Sequence, residues 1–245
     1  MSLWLKCCVF AMNGMSASLM IDCVGLGLTV LDQLGVIERF PEPNSKNVLS
    51  SWTVQGGGPV ATALAMLARL GKRCSLVTAL GDDPDGRFLQ QDLHALNVDT
   101  AFSKITDGQT PRAFILVDQS NGERTVFLHR DPRCTLTAAD IAAQPYDQCR
   151  LLHIDGHYPA ADLCAAERVH RGGGLVSIDL GSNRRVDPAL LAACDINVVS
   201  ETYAAGQIAG DLESVLEKLF TGYAKWVGKT CSASGTYFFH GIHHL

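Results

Sequence analysis

The sequence contains no run approaching the ~18 consecutive apolar residues of a membrane-spanning helix, no C-x-x-C pair and no block of basic residues. Each absence removes a class of protein. Without the long apolar run there is no spanning helix to expect, and without paired cysteine spacing neither a zinc ribbon nor a dithiol redox site has its ligands. The 20 Lys and Arg against 25 Asp and Glu leave a net charge of −5, which argues against a surface built to neutralise nucleic-acid phosphates. Charge is also scarce, at 18% of residues against a usual ~25%. With 47% hydrophobic residues in 245, a sizeable core can form and global disorder is excluded. Nine cysteines are scattered and odd in number, which fits reduced thiols and a cytoplasmic location better than a disulfide framework. The first 18 residues read as an irregular leader with one early positive charge and no small-residue cleavage site.

From residue 19 onward, short apolar runs alternate with amphipathic ones, the pattern of βαβ units around a mostly parallel sheet. Strands are expected at 19–24, 75–80, 151–154, 175–180, 196–199 and 224–230. Helices are expected at 59–70, 86–96, 160–170, 188–193 and 212–220. The helix at 59 has Pro at its first position and Gly71 after its last, the normal asymmetry of helix ends. Two pieces break the rhythm. Residues 112–117 and 124–129 are extended and joined by a turn with Asn121-Gly122, a strong hairpin signal. Residues 36–52 form a second irregular or extended piece, and together these should make a small separate sheet acting as a lid over the strand ends.

Three segments carry chemistry. Gly56-Gly57-Gly58 runs directly into a helix, so backbone N–H groups can approach a polar ligand with no side chain in the way, although a plain strand-to-helix turn uses the same residues. It lacks the later glycine of the dinucleotide fingerprint. His153, Asp155 and His157 alternate along an extended segment and so share a face, which is a spacing compatible with a metal-dependent hydrolase. Gly228-Lys229-Thr230 imitates the end of a P-loop, but it ends a strand rather than opening a helix.

Taken in order, VGLGLTVLD (24–32), GGGPVATALAMLARLG (56–71), the GDD-containing segment 77–100, TPRAFILVDQSNGERTVFLH (110–129), LLHIDGHYP (151–159), LVSIDLGSN (175–183) and SETYAAGQIAG (200–210) resemble the ribokinase-like (PfkB-type) carbohydrate kinases. The ketohexokinase and sulfofructose kinase branch is the nearest part of that family. The resemblance implies a three-layer α/β/α domain over 19–245 with a mostly parallel sheet and lid segments at about 34–55 and 109–130. It also implies ATP and Mg²⁺ as cofactors, a small sugar as substrate, and a homodimer formed through the lid.

By the same resemblance the sugar is held by Asp32 at the end of the first strand, by Gly57 and Gly58, and by Asp155 with His157 close by. Thr62 stands where many members have Asn, and Lys46 where the sulfofructose kinase branch places a lysine near an anionic group. That branch has arginine at the position of His157, which disfavours a sulfonated sugar. On the nucleotide side the family positions fall on Thr230, Ser232 and Gly235, with Glu201 as the candidate for organising Mg²⁺ indirectly. The family's G-A-G-D motif, which supplies the anion hole and the catalytic aspartate, does not occur in these residues. By the resemblance, that aspartate would lie beyond Leu245. The expectation is therefore a domain whose C-terminal part is missing, inactive as a kinase by itself, with a sugar-binding or regulatory remnant as the alternative.

Overall fold

The computed structural model describes residues 21–141, 146–182, 184–208, 211–231 and 235–241. An eight-stranded sheet forms its centre. Seven strands are parallel: β1 (Ile21–Leu26), β4 (Cys74–Val77), β6 (Val98–Asp99), β10 (Cys149–Ile154), β11 (Leu175–Leu180), β12 (Ile196–Ser200) and β13 (Trp226–Cys231). The eighth, β14 (Gly235–His240), folds back antiparallel on β13. The spatial order is β14-β13-β12-β11-β10-β1-β4-β6.

Successive residues of the inner strands enter opposite cores, as the pleat demands. Val24, Leu152 and Val199 belong to one apolar cluster, and Cys23, Leu151 and Val198 to another. The first core is covered by α4 (Pro159–Arg171), α5 (Pro188–Ala192), α6 (Glu201–Gln207) and α7 (Leu212–Leu219). In α4 the buried stripe Ala161, Ala165, Ala166 and Val169 lets the helix lie close to the sheet. The second core is covered by α1 (Pro59–Arg69) and by Leu93 of α2 (Pro84–Ala95). A sheet buried on both faces explains why its strands read as continuous apolar runs.

The helix ends follow the sequence signals. Pro59 opens α1, and beyond its end Gly71 (φ 78°) turns the chain so that Lys72 N–H reaches the Leu67 carbonyl at 3.1 Å. Asp83 caps α2 through Gly86 N–H at 2.8 Å and also accepts from Thr110 N–H and Oγ1, tying that helix to the base of the lid.

The lid is a separate four-stranded sheet, β3-β2-β8-β9, made of β2 (Val30–Ile37), β3 (Ser51–Gly57), β8 (Arg112–Asp118) and β9 (Arg124–His129). The β8–β9 hairpin turns at Gly122 (φ 76°), as Asn-Gly predicted.

Four expectations need correction. The run 75–80 is two strands: β4 stays in the central sheet, while β5 (Ala79–Gly81) pairs with β7 (Lys104–Thr106) in a sheet of two. The first strand runs on to Leu26 rather than ending at residue 24, while its expected start at 19 and 20 lies outside the described residues. Ordered pairing in the lid begins at Val30, so Asp32 is the third residue of a lid strand and not the end of the first central strand. The helix Glu201–Gln207 was not expected, although Ser200 followed by Glu201 is a cap signal, and Ser200 Oγ does accept from Tyr203 N–H at 3.0 Å. The remaining short elements are α3 (Ala138–Ile141) and a 3₁₀ turn at Tyr146–Gln148. The leader, Ser232 and Leu245 lie outside the described residues. Seven cysteines are described, six of them buried and none in a disulfide among the described residues, and no helix among the described residues is long and apolar enough to cross a membrane.

Candidate functional site

From β1 the chain order moves outward through β4 and β6, then returns to β10 on the other flank of β1 and proceeds away through β11, β12 and β13. Strand order therefore reverses between β1 and β10. In open α/β sheets the crevice outside the carboxyl ends at such a reversal is where ligands bind. The candidate site stands there.

Asp155 follows the last residue of β10 and is 1% exposed. Its Oδ2 accepts from Leu28 N–H at 2.9 Å and its Oδ1 from His157 N–H at 3.0 Å, so it ties β10 to the link between β1 and β2. Gly27 leaves room for this, since a Cβ there would lie 2.6 Å from Asp155 Oδ2. Burial lifts the Asp155 carboxyl to about 6 against the opposing pull of its two N–H donors and of Arg184 and Arg130.

Above this floor, Asp32 projects from β2 and lies against the backbone of Gly57. A Cβ on Gly57 would overlap the Asp32 carboxylate. Gly58 adopts φ 103°, and a side chain there would overlap the Leu28 carbonyl. The glycines thus bring the start of α1, Asp32 and the Asp155-anchored link into direct contact. Partial burial raises the Asp32 carboxyl, with Arg124 opposing. A half-exposed carboxylate beside bare backbone at a crevice mouth can accept bonds from neighbouring hydroxyls and fix a polyol's orientation.

The turn after Asp155 carries charge that sequence inspection missed. Arg184 donates to the Asp155 and Gly156 carbonyls, each at 2.5 Å. Arg130, at the end of β9, reaches the His157 carbonyl at 3.4 Å and lies 4.9 Å from the centre of the Tyr158 ring. The sequence reading weighed only position 157, whereas the guanidinium groups arrive from residues 27 and 28 positions away from the carbonyls they bind. Burial, then Arg184 and Arg130, hold the His157 imidazole down to about 3, so the ring is neutral near pH 7.

The residues expected of a metal-dependent hydrolase do not come together. β10 ends at Ile154 and Gly156 (φ 71°) swings the chain, so His153, Asp155 and His157 do not continue on one face. His153 is buried within the sheet, with Nδ1 3.0 Å from Ser177 Oγ, and burial holds it down to about 3. Among the described residues no three His, Cys, Asp or Glu side chains form a metal-binding group.

Other expected residues fall elsewhere. Lys46 is exposed on the loop between β2 and β3. Thr62 is exposed on α1 and shares a face with Met66 and Arg69. On the nucleotide side, Ser200 pairs with Thr230, which places Glu201 and Thr230 next to each other at the carboxyl ends of β12 and β13. Gly235 (φ 86°) starts β14 opposite Cys231. Gly228-Lys229-Thr230 lies inside β13 and is no phosphate loop. The catalytic aspartate was expected beyond Leu245, and the described residues stop short of that point, at 241.

A mostly parallel sheet covered by helices on both faces, with a β lid over the reversal of strand order, defines a ribokinase-like α/β fold. The chain belongs to the pfkB family of carbohydrate kinases, whose model matches residues 20–244. Among curated relatives it is 29% identical to mouse ketohexokinase over 152 residues, covering 61% of this chain and 50% of that protein. It is 29% identical to a fructokinase of Klebsiella pneumoniae over 147 residues, covering 57% of this chain and 48% of that one. The chain spans about half the length of the curated relatives it matches. Of solved structures, Sa239 superposes with a TM-score of 0.78 at 24% identity, covering 91% of this chain and 78% of that one. Arabidopsis thaliana ribokinase complexed with ribose and ATP gives 0.73 at 19%, covering 91% and 75%.

Proposed function

We propose that these residues form the sugar-holding half of an ATP-dependent sugar kinase. The observation that carries this reading is the Asp32 carboxylate packed against bare Gly57, at the mouth of the crevice where strand order reverses and Asp155 anchors the floor. In this reading Asp32, Gly57 and Gly58 receive the sugar hydroxyls, while Asp155 and His157 shape the floor beneath them. ATP would lie along the ends of β12 and β13 beside Glu201, Thr230, Ser232 and Gly235, and Mg²⁺ would neutralise its phosphates.

None of the described residues is a candidate for taking the hydroxyl proton, since the G-A-G-D motif is absent from the sequence up to Leu245. The 245-residue chain alone is therefore expected to bind a sugar but to show negligible turnover. Seven described cysteines with no disulfide among them support a cytoplasmic location. The lid supports self-association: Trp52, Phe114 and Phe127 stack in sequence, with ring centres 5.6 and 6.4 Å apart, on the face opposite Asp32.

Calorimetric titration with hexoses and ketohexoses tests the binding half of this proposal. Saturable heat that disappears in Asp32→Ala supports it, and no heat with any sugar overturns it. A coupled ADP assay tests the other half, because sugar-dependent turnover at ordinary kinase rates of about 1–100 s⁻¹ would overturn the expected inactivity.

A further inference from the structure

Gly56 and Gly57 face opposite sides of the lid sheet's edge, as neighbours in a strand must. Gly57 opens onto Asp32, whereas a Cβ on Gly56 would lie 2.8 Å from Asp92 Oδ2 and 3.4 Å from Leu89. Behind the sugar crevice there is thus a second carboxylate against a second bare glycine, and it borders a cavity of about 270 Å³.

Two helices build that cavity. From α1 come Thr62, Ala65, Met66 and Arg69, and from α2 and its C-terminal cap come Leu89, Asp92, Leu93 and Leu96. Both sets follow the i, i+3, i+4, i+7 spacing, so each is one face of its helix and the two faces form the walls of a trough. Thr29 closes the inner end, its Oγ1 buried without a hydrogen-bond partner among the described residues.

The trough has one cationic and one anionic side chain. Asp92 stands at the glycine end. Arg69 lies in the last turn of α1, seven residues beyond Thr62, or about 10 Å along the axis at ~1.5 Å per residue. Among the described residues neither side chain has a hydrogen-bond or ion-pair partner, although the two helix faces oppose one another. Between them the walls are apolar, with Leu89 and Leu93 nearly fully buried. Helices that merely packed together would close this gap with aliphatic contacts.

We propose that the trough is a second ligand site, distinct from the sugar crevice, which binds a small aliphatic zwitterion. Its amine meets Asp92, its carboxylate meets Arg69, and its methylene chain lies on Leu89, Leu93 and Met66. The separation of the charged ends selects an extended molecule over a compact α-amino acid. Gly57 and Thr62 line the trough as well as standing among the expected sugar contacts, so the two sites adjoin, but Asp32, Gly58 and Asp155 do not line it and the charged pair Asp92 and Arg69 belongs to the trough alone.

The test is ligand titration of the 245-residue chain, followed by calorimetry and by the methyl resonance of Met66, with 6-aminohexanoate, hexylamine, hexanoate and glycine as probes. The expected result is that 6-aminohexanoate binds at least ten-fold more tightly than the other three and shifts the Met66 signal. Asp92→Asn should reduce its affinity to that of hexanoate, and Arg69→Gln to that of hexylamine. Equal affinities across the four probes, no binding, or an unmoved Met66 signal would overturn the site. The comparison of probes on the unaltered chain decides the matter even where a substituted chain fails to fold.

Discussion

Two places along the carboxyl ends of the central strands are built to different standards. Around β1 and β10, a buried carboxylate is held by two backbone N–H groups, and glycines bring three chain segments into contact. Around β12 and β13, Glu201 and Thr230 are adjacent only because their strands pair, and among the described residues nothing lies within 4 Å of a Cβ placed on Gly235. The first place is a preorganised site in which backbone geometry is fixed by tight packing. The second is a strand edge with polar residues on it. Preorganisation leaves a signature of close approaches, so the crevice at β1 and β10 stands out without a bound ligand and the ends of β12 and β13 do not.

This contrast can be broken by experiment. The largest effect is expected from Gly58→Ala, which must hold φ 103° and displace the Leu28 carbonyl. A loss of about 3–4 kcal/mol in urea unfolding is expected, and a loss below ~1 kcal/mol would show the contact to be loose. Asp155 comes next. Its carboxyl is lifted from the ordinary 3.8 to about 6, so between those values the native state retains a proton that the unfolded chain releases. Stability should therefore fall as pH rises through roughly 4 to 6, by on the order of 3 kcal/mol from this group. Asp155→Asn should remove that part of the slope. Burial likewise lifts Asp179 to about 6, so the quantity to read is the difference between the two proteins. Identical slopes would mean that Asp155 is solvated.

Asp32→Asn should weaken sugar binding by about 10- to 100-fold in calorimetry while leaving the unfolding midpoint nearly unchanged, because a charge-assisted acceptor is lost at a half-exposed position. At β13 and β14, Gly235→Ala should cost only about 1 kcal/mol, the penalty of a positive φ with no clash among the described residues. Glu201→Gln should leave sugar affinity within two-fold. A large loss from Glu201→Gln would abolish the distinction between the two places.

How much of this could be read in advance depended on range. β11 was bounded correctly at both ends because its apolar run is followed directly by Gly181 and polar residues. α1 and the lid hairpin were legible because Pro, Gly and Asn-Gly act within a few residues. The break at Thr78 was not, since VTAL is apolar on both sides and only the choice of pairing partner divides it. Asp32 was singled out from the sequence, but its strand was misplaced because lid pairing starts four residues after β1 ends. Arg130 and Arg184 were invisible because nothing local marks a side chain that acts on a turn 27 or 28 residues away. The Asp92 trough was missed for the same reason: each helix face reads as ordinary amphipathic pattern until the two are opposed.

The lid has a temporal consequence. Asp32 lies on a strand whose neighbour on one side, β3, emerges soon after it, but whose partner on the other side, β8, begins about 80 residues later. At about 5–20 residues per second, the ribosome supplies that partner roughly 4–16 seconds after β2. β1, the strand beneath, waits longer still for β10. For that interval Leu31, Leu34 and Val36 belong to an unpaired apolar edge, which is exposed to mispairing with other nascent chains. Asp32 thus leaves the ribosome about 80 residues before the strand that completes its pairing.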